Sequence, residues 1–296
     1  MQLLVYIIIY PLLWLVSILP FRILYILSDT LYFILYTVSG YRKKIVITNL
    51  KLVFPEKSKK EIEIIAKGFY KHFCDITLEA FKSLTISKKT IDKRFIFKNL
   101  DKIKDLELKN KSVLLMTSHY ANWEWSIAIQ NHVGHEGYAI YKRLRNKHFD
   151  KLVRRIRARY NAYLITTKET IPTLRRLKKE GQLFIAGFAA DQSPKAHKAH
   201  YWREFLGIKV PVITGPEMIA NTLDVPAVFF RIDKVKRGYY VATIEDVIEF
   251  PKELKEFELT DRYIAYIEKQ IYEKPEHYLW THKRWKHKDN VPKEFQ

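Results

Sequence analysis

Residues 112–125 read SVLLMTSHYANWEW: an apolar run ends at Thr117, and a histidine and several aromatic residues follow it. A short apolar run of this kind is typical of a buried strand. Asn122 followed by Glu124 is typical of a helix start, where an amide caps the first turn and an acid is stabilised by the helix dipole. The stretch therefore predicts a strand that turns directly into a helix, with His119 in the turn.

Comparable apolar runs recur along the chain and are separated by amphipathic helical patterns. The predicted strands are 112–117, 138–141, 163–166 and 183–186, and the predicted intervening helices are 149–160 and 171–180, the second closed by Gly181. Strands that alternate with helices predict an α/β fold with a mostly parallel sheet flanked by helices.

The remaining patterns extend this fold on both sides. Helices are predicted at 59–84, 215–223 and 260–273, with Thr260 as the N-cap of the last, and a strand pair is predicted at 227–232 and 239–244 with a turn at Arg237-Gly238. No repeat or flexible linker divides this part of the chain, which predicts a single domain.

The charge balance indicates an anionic partner. Among 296 residues, Lys and Arg number 52 and Asp and Glu number 32, which gives a net charge of +20. Phosphate headgroups, nucleic acid or an acidic protein would each suit this charge. The single cysteine, Cys74, excludes a disulfide framework and a thiolate metal cluster, and it suits a reducing, cytoplasmic-facing domain. We expect no metal and no other cofactor.

The N-terminus has the composition of a membrane segment. Residues 3–19 carry no charge, and a second apolar run, 23–38, is interrupted only by Asp29. The first run reaches about 25 Å, so it could span a bilayer or lie in it as a shallow hairpin; a buried helix pair of a soluble core is the alternative. The basic residues at 42–44 place the rest of the chain on the cytoplasmic side. We therefore expect a membrane anchor at 1–40 and one folded domain at 41–296.

His119 is the first candidate for chemistry. Ligands of open α/β sheets bind beyond the carboxyl ends of the strands, which is where His119 is predicted to lie. A histidine there can remove a proton from a hydroxyl if a carboxylate orients it, and Glu124 could supply that carboxylate. The alternative is a plain surface histidine beside a helix cap. No G-x-S-x-G motif marks a serine nucleophile. Direct transfer of a group to a hydroxyl, with no covalent enzyme intermediate, is therefore the simpler chemistry.

Six stretches together resemble a known family: SHYANWEW, IYKRLRNKHFD, RRIRARYNAYLI, FAADQSP, FLG…TGPEMIA and EHYLWTHKRWKHK. Their order and spacing resemble the late acyltransferases of lipid A biosynthesis, above all their Bacteroidetes-type members, over nearly the whole chain. The family is related to the glycerophosphate acyltransferases. The resemblance implies transfer of a fatty acyl group from an acyl carrier protein thioester to a hydroxyl of a phosphorylated, Kdo-bearing lipid A precursor, at the cytoplasmic face of the inner membrane.

The resemblance also implies roles for individual residues. His119 falls on the family's general base and Glu124 on the acid that orients it, while the substrate-binding positions fall on Lys142, Arg157, Asp191 and Gln192. Many relatives carry arginine where this chain has Lys142, which keeps the charge and loses the bidentate phosphate contact.

Two other functions suit the same residues. One is the same chemistry on a different phospholipid or glycolipid acceptor. The other is a non-catalytic, membrane-tethered protein that binds nucleic acid or another polyanion, although no nucleic-acid-binding motif is present. The resemblance implies an acyl carrier protein, an anionic lipid and the membrane as partners, and no nucleic acid. The basic stretch 282–286 could be an unstructured tail or lie at the bilayer interface.

Overall fold

A computed structural model of the chain describes residues 2–195 and 199–295, and a seven-stranded sheet lies at the centre of this part. The strands are β1 (Phe95–Lys98), β2 (Val113–Thr117), β3 (Glu136–Tyr141), β4 (Ala162–Thr166), β5 (Phe184–Ala189), β8 (Ala227–Lys236) and β9 (Tyr239–Ile248), in the order β1-β9-β8-β2-β5-β3-β4. A separate antiparallel pair consists of β6 (Trp202–Phe205) and β7 (Ile208–Pro211).

The strands β8, β2, β5, β3 and β4 run parallel to one another. Strand β9 runs against β8, because a tight turn at Arg237-Gly238 joins them, and β1 pairs in parallel with β9. Gly238 has a φ of +74°, a left-handed conformation that glycine adopts without strain. The predicted α/β fold with a mostly parallel sheet is confirmed.

Helices flank the sheet. They are α1 (Gln2–Ile18), α2 (Phe21–Tyr32), α3 (Lys43–Val53), α4 (Lys59–Lys82), α5 (Lys88–Arg94), α6 (Asp101–Leu108), α7 (Lys147–Ala158), α8 (Thr170–Lys179), α9 (Gly215–Leu223) and α10 (Glu258–Glu273). Gly181 lies just past the end of α8 with a φ of +70°, as predicted.

The predicted start of the last helix is wrong. Helix α10 begins at Glu258, and the buried Thr260 lies in its first turn. The N–H and the hydroxyl of Thr260 both donate to the Glu217 carboxylate, at 2.8 and 2.5 Å. Because the Thr260 hydroxyl is bound to Glu217 of α9, it does not cap the first turn of α10.

The C-terminal stretch is part of the core and is not a free tail. Trp280 and Arg284 are fully buried, and the ring of Trp285 stacks on Trp280 with centroids 5.8 Å apart. The Arg284 side chain donates to the carbonyl of Pro211 at 3.0 Å. This segment packs against the strand ends that carry the candidate site.

The two N-terminal helices pack on α4. Helix α2 continues as a π-helical segment, Phe33–Val38, and the combined segment Phe21–Val38 is long and apolar enough to cross a membrane by length and composition. The chain then turns at Gly40, which has a φ of +58°.

Candidate active site

His119 lies in a sharp turn between β2 and a 3-10 helix, Trp123–Asn131. The Asn122 side chain caps that helix by accepting from the Trp125 N–H at 3.1 Å. Ala121 makes the bend possible with a φ of +49°. The predicted strand, turn and helix start are confirmed, and the helix is of the 3-10 type.

The C-terminal segment fixes the backbone of this turn. The N–H of Ala121 donates to the His277 carbonyl at 3.0 Å, and the N–H of Leu279 donates to the His119 carbonyl at 3.1 Å. The hydroxyl of Tyr120 donates to two carbonyls at the end of α10, those of Gln270 and Lys274. The residues 277–279 therefore hold His119 against the end of β2.

Asp191 is the hydrogen-bond partner of the His119 ring. Strands β2 and β5 are parallel neighbours with Thr117 opposite Ala189, so His119 and Asp191 both lie two residues beyond that matched pair. The distance from His119 Nδ1 to Asp191 Oδ1 is 2.8 Å, and the same oxygen accepts from the His119 backbone N–H at 3.1 Å. Asp191 is fully buried, whereas 22% of the His119 side chain is exposed. Because Nδ1 is occupied, Nε2 is the ring nitrogen left for a substrate.

Glu124 is paired with Arg157. It makes no hydrogen bond to the His119 ring, contrary to the prediction that it orients His119. The Glu124 carboxylate forms an ion pair with the Arg157 guanidinium, which also donates to the Glu124 backbone carbonyl at 3.1 Å. The other carboxylate oxygen accepts from the Trp123 indole N–H at 3.1 Å. The correction has a simple cause: the short 3-10 turn directs Glu124 towards α7, and the Nδ1 atom of His119 is taken by the carboxylate from the neighbouring strand.

The charges around the pair shift both pKa values. Burial alone would lower the pKa of His119, but the charge and hydrogen bond of Asp191, with the charge of Glu124, raise it above its ordinary value. Burial alone would raise the pKa of Asp191, but the charge of His119 and the hydrogen bonds to it lower it. An imidazolium at His119 is therefore stabilised by an ionised Asp191.

An apolar cavity of about 230 Å³ opens beside His119. One side is the face of β5 that carries Ile185, Gly187 and Ala189, which alternate along the strand as residues of one face do. The other lining side chains include Leu115, Ile127, Ile129, Ile140 and Leu164. Glu124 and Arg157 also line it. The cavity therefore combines a hydrocarbon-lined interior with charged groups and a histidine.

The other predicted binding residues lie near this edge of the sheet. Lys142 is exposed and directly follows β3, next to Tyr141, which lines the cavity. Gln192 is half-buried and follows Asp191. Their contacts with a substrate stay predictions.

Glu79 was not predicted from the sequence; it is a fully buried acid whose hydrogen bonds support the turn that carries His119. Its carboxylate accepts from Asn122 Nδ2 at 2.7 Å and from the hydroxyls of Tyr25 and Tyr240 at 2.7 and 2.8 Å. Burial raises the pKa of Glu79 to about 7. The available signal was a helical face: Asp75, Glu79 and Lys82 recur at the spacing of one side of α4.

A histidine-carboxylate pair at the carboxyl edge of an open, mostly parallel sheet, beside an apolar cavity, places this chain in the class of α/β enzymes with a histidine at the ligand-binding edge. The particular family follows from comparison: the family model "Bacterial lipid A biosynthesis acyltransferase" matches residues 2–287, and the chain belongs to this family. It is an enzyme, an acyltransferase of lipid A biosynthesis.

Individual relatives agree with this assignment at low identity. The chain is 26% identical to the lipid A biosynthesis lauroyltransferase of Escherichia coli (strain K12) over 288 residues, 96% of this chain and 92% of that protein. It is 23% identical over 249 residues to the lipid A biosynthesis palmitoleoyltransferase of the same strain, covering 83% of this chain and 79% of that protein. A lipid A biosynthesis acyltransferase of Shigella flexneri matches with the same values.

Proposed function

We propose that this enzyme moves a fatty acyl group from an acyl carrier protein thioester to a hydroxyl of a phosphorylated, Kdo-bearing lipid A precursor, with His119 as the general base. The observation that carries the proposal is the hydrogen bond from His119 Nδ1 to the buried Asp191 beside an apolar cavity. This arrangement leaves Nε2 available to accept a proton from the acceptor hydroxyl.

In the proposed reaction, Nε2 of His119 removes the hydroxyl proton as the acceptor oxygen bonds to the thioester carbonyl carbon. The carbon–sulfur bond then breaks, and the leaving thiolate takes the proton back from the imidazolium. The ionised Asp191 stabilises the imidazolium between these two transfers. Atoms and charge balance without a covalent enzyme intermediate.

Arg157 and Glu124 are proposed to act at the reacting carbonyl. Both residues line the same cavity as His119, and two contacts to Glu124 fix the position of the Arg157 guanidinium. A positioned guanidinium there opposes the negative charge that develops on the thioester oxygen. Glu124 serves this reaction by fixing Arg157 and by raising the pKa of His119.

The apolar interior of the cavity is proposed to hold the acyl chain. Its aliphatic walls offer a hydrocarbon chain the burial that water cannot. The names of two relatives, a lauroyltransferase and a palmitoleoyltransferase, support acyl donors of this kind. The net charge of +20 supports both an acidic carrier protein and an anionic acceptor, with Lys142 and Gln192 proposed to contact the acceptor.

The direct test is a reconstituted reaction with purified protein, an acyl carrier protein thioester and the Kdo-bearing lipid A precursor. We expect a mass gain of one acyl group, lost in His119→Ala. The matched control is His132→Ala, since His132 lies 3.3 Å from Asp92 in a second histidine-aspartate pair that does not line the cavity. Equal rates in folded wild type and His119→Ala would contradict the role of His119, and product only with another acceptor would contradict the substrate.

A further inference from the structure

Helices α1 and α2 present a large apolar surface to their surroundings. In the described residues the exposed side chains of these helices and of the π-helical segment include Leu4, Ile8, Leu12, Leu15, Ile26 and Phe33. Leu4 is 61% exposed and Ile26 is 66% exposed. Contiguous apolar surface of this size marks a contact with a membrane or another protein.

The contacts of α1 bind both of its ends to the catalytic domain. At the N-terminal end, Asn146 Nδ2 donates to the Gln2 carbonyl at 3.1 Å. At the C-terminal end, the Lys82 ammonium donates to the carbonyls of Ser17 and Leu19, each at 2.6 Å. Between them, the ring of Tyr6 contacts Phe149 with centroids 5.3 Å apart.

These contacts fix the direction of α1. The helix has 17 residues and is therefore about 25 Å long. A helix that crossed the hydrocarbon layer would carry one end about that far from the domain. Because both ends of α1 contact the domain, the helix lies along it.

Helix α2 is held against the domain by polar groups near the middle of the segment Phe21–Val38. The Ser28 hydroxyl donates to the buried Asp75 at 2.7 Å, and Asp29 pairs with Arg237 of the β8–β9 turn at 2.6 Å. If Phe21–Val38 crossed a bilayer, this ion pair and the domain surface around it would lie at membrane depth, where ionised groups are costly. The composition of the segment suits a span, but its contacts do not.

Cations surround α7, which α1 contacts in addition to α4. In the loop before α7 and on its outer face, Arg143, Arg145, Lys147, Lys151 and Arg155 are exposed. Side chains at this position, beside an apolar helix that lies in the membrane surface, would meet anionic headgroups. The charge next to the apolar surface therefore selects a lipid bilayer as its partner, in preference to a second copy of this cationic chain.

We propose that α1 and α2 attach the enzyme to one leaflet of an anionic membrane, lying in its surface without crossing it. This membrane attachment is independent of the proposed reaction. Only one consequence, the route by which a lipid acceptor reaches His119, rests on the proposed function. Arg157, which lines the reaction cavity, lies on α7, the same helix that α1 contacts. A lipid acceptor can then approach His119 from the leaflet in which α1 lies.

Site-directed labelling tests the geometry independently of turnover. The native Cys74 is buried, so Gln2→Cys, Pro20→Cys and Asp289→Cys each report on one exposed position. With a membrane-impermeant maleimide on vesicles of known orientation, we expect Gln2→Cys and Asp289→Cys to react from one face only, and Pro20→Cys to react from that face or to be protected by lipid. Reaction of Gln2→Cys or Pro20→Cys from the opposite face would overturn the proposal. A short bismaleimide should also link Gln2→Cys to Arg145→Cys in membranes, and absence of this link overturns it too.

Vesicle binding tests the partner. We expect the purified chain to bind vesicles in which about one third of the lipid is phosphatidylglycerol more tightly than vesicles of phosphatidylcholine alone. Lys151→Gln and Arg155→Gln should each lower the affinity for the anionic vesicles about fivefold. Equal binding to both vesicles overturns the electrostatic part. A chain that stays in solution as a dimer and leaves vesicles unbound would show that a second copy covers the apolar surface. None of these readouts depends on the acyl transfer reaction, so the two proposals can fail separately.

Discussion

His119 and Asp191 lie two residues beyond the matched pair Thr117 and Ala189, on adjacent parallel strands, with 2.8 Å between Nδ1 and Oδ1. The sheet itself therefore sets the distance between the His119 ring and the Asp191 carboxylate. The buried carboxylate keeps one tautomer and one ring orientation of His119, which is what a general base requires.

Replacing Asp191 with Asn should lower the rate of acyl transfer by roughly 100- to 10,000-fold, because the amide neither stabilises the imidazolium nor enforces the tautomer. The matched control is Asp92→Asn in the second histidine-aspartate pair, which should retain most of the rate. Wild-type kcat/KM in a folded Asp191→Asn variant would contradict the assignment.

The same variant should change the pH profile in a defined direction. A general base must be neutral, so activity is lost as pH falls through the pKa of His119, which Asp191 and Glu124 raise against the effect of burial. Removing the Asp191 charge lowers that pKa, and the acid limb of kcat/KM should therefore move to lower pH. An acid limb that stays in place or moves upward would mean that another group titrates.

Arg157→Lys should reduce activity by roughly tenfold or more although it keeps the charge, since a lysine cannot make both contacts to Glu124. The coupling can be measured with Glu124→Gln and the double variant. We expect the effects to be non-additive, with a coupling free energy of about 1–3 kcal/mol in the transition state. Additive effects would show that the two residues act separately.

Gly187→Val should shift the preference of the enzyme towards shorter acyl donors. A Cβ at Gly187 meets only the Tyr138 carbonyl, at 3.9 Å, and the added side chain points to the cavity face of β5. Competition between acyl donors of different length measures the shift. The matched control is Gly215→Val. Gly215 does not line the cavity, and a Cβ added there meets no described atom within 4 Å. An unchanged preference would place the acyl chain elsewhere.

Glu79→Ala should destabilise the fold by about 3 kcal/mol or more, because it leaves the buried donors of Asn122 and Tyr240 and the half-buried hydroxyl of Tyr25 without their acceptor. Glu79→Gln should cost less, since one oxygen remains. Denaturant unfolding in detergent measures both, and a cost below 1 kcal/mol for Glu79→Ala would contradict the supporting role.

The pH dependence of stability gives a second test of Glu79. Burial raises its pKa from 4.5 to about 7, so the folded chain binds this proton more tightly than the unfolded chain does. Its contribution to the free energy of unfolding therefore falls as pH rises between these values. Relative to wild type, Glu79→Gln should become progressively more stable over that window and level off above it.

Much of the fold was predictable because it follows local patterns. The strand ending at Thr117 and the helix 215–223 appear where their hydrophobic periodicity placed them, and Gly181 closes α8 because only glycine enters the left-handed region there without strain. The turn that carries His119 was likewise predicted from residues that are neighbours in the chain.

The partners of the site residues were not predictable in this way. Glu124 lies five positions from His119 in sequence, and Asp191 lies 72 positions away, yet Asp191 makes the hydrogen bond. Which carboxylate reaches the ring depends on strand order, and the order β2-β5 is a long-range property. The pairing of Arg157 with Glu124 is likewise a long-range property. So are the hydrogen bonds by which the C-terminal segment holds the His119 turn in place.

The sequence by itself determined an α/β chain with an apolar N-terminus, an excess of cations and a histidine at a strand end, because these depend on composition and on periodicity over a few residues. Only the tertiary structure decided that Asp191 orients His119, that Glu124 pairs with Arg157 and that α1 lies along the domain. Each of these depends on which distant elements become neighbours, and burial and hydrogen-bond satisfaction over the whole fold decide that choice.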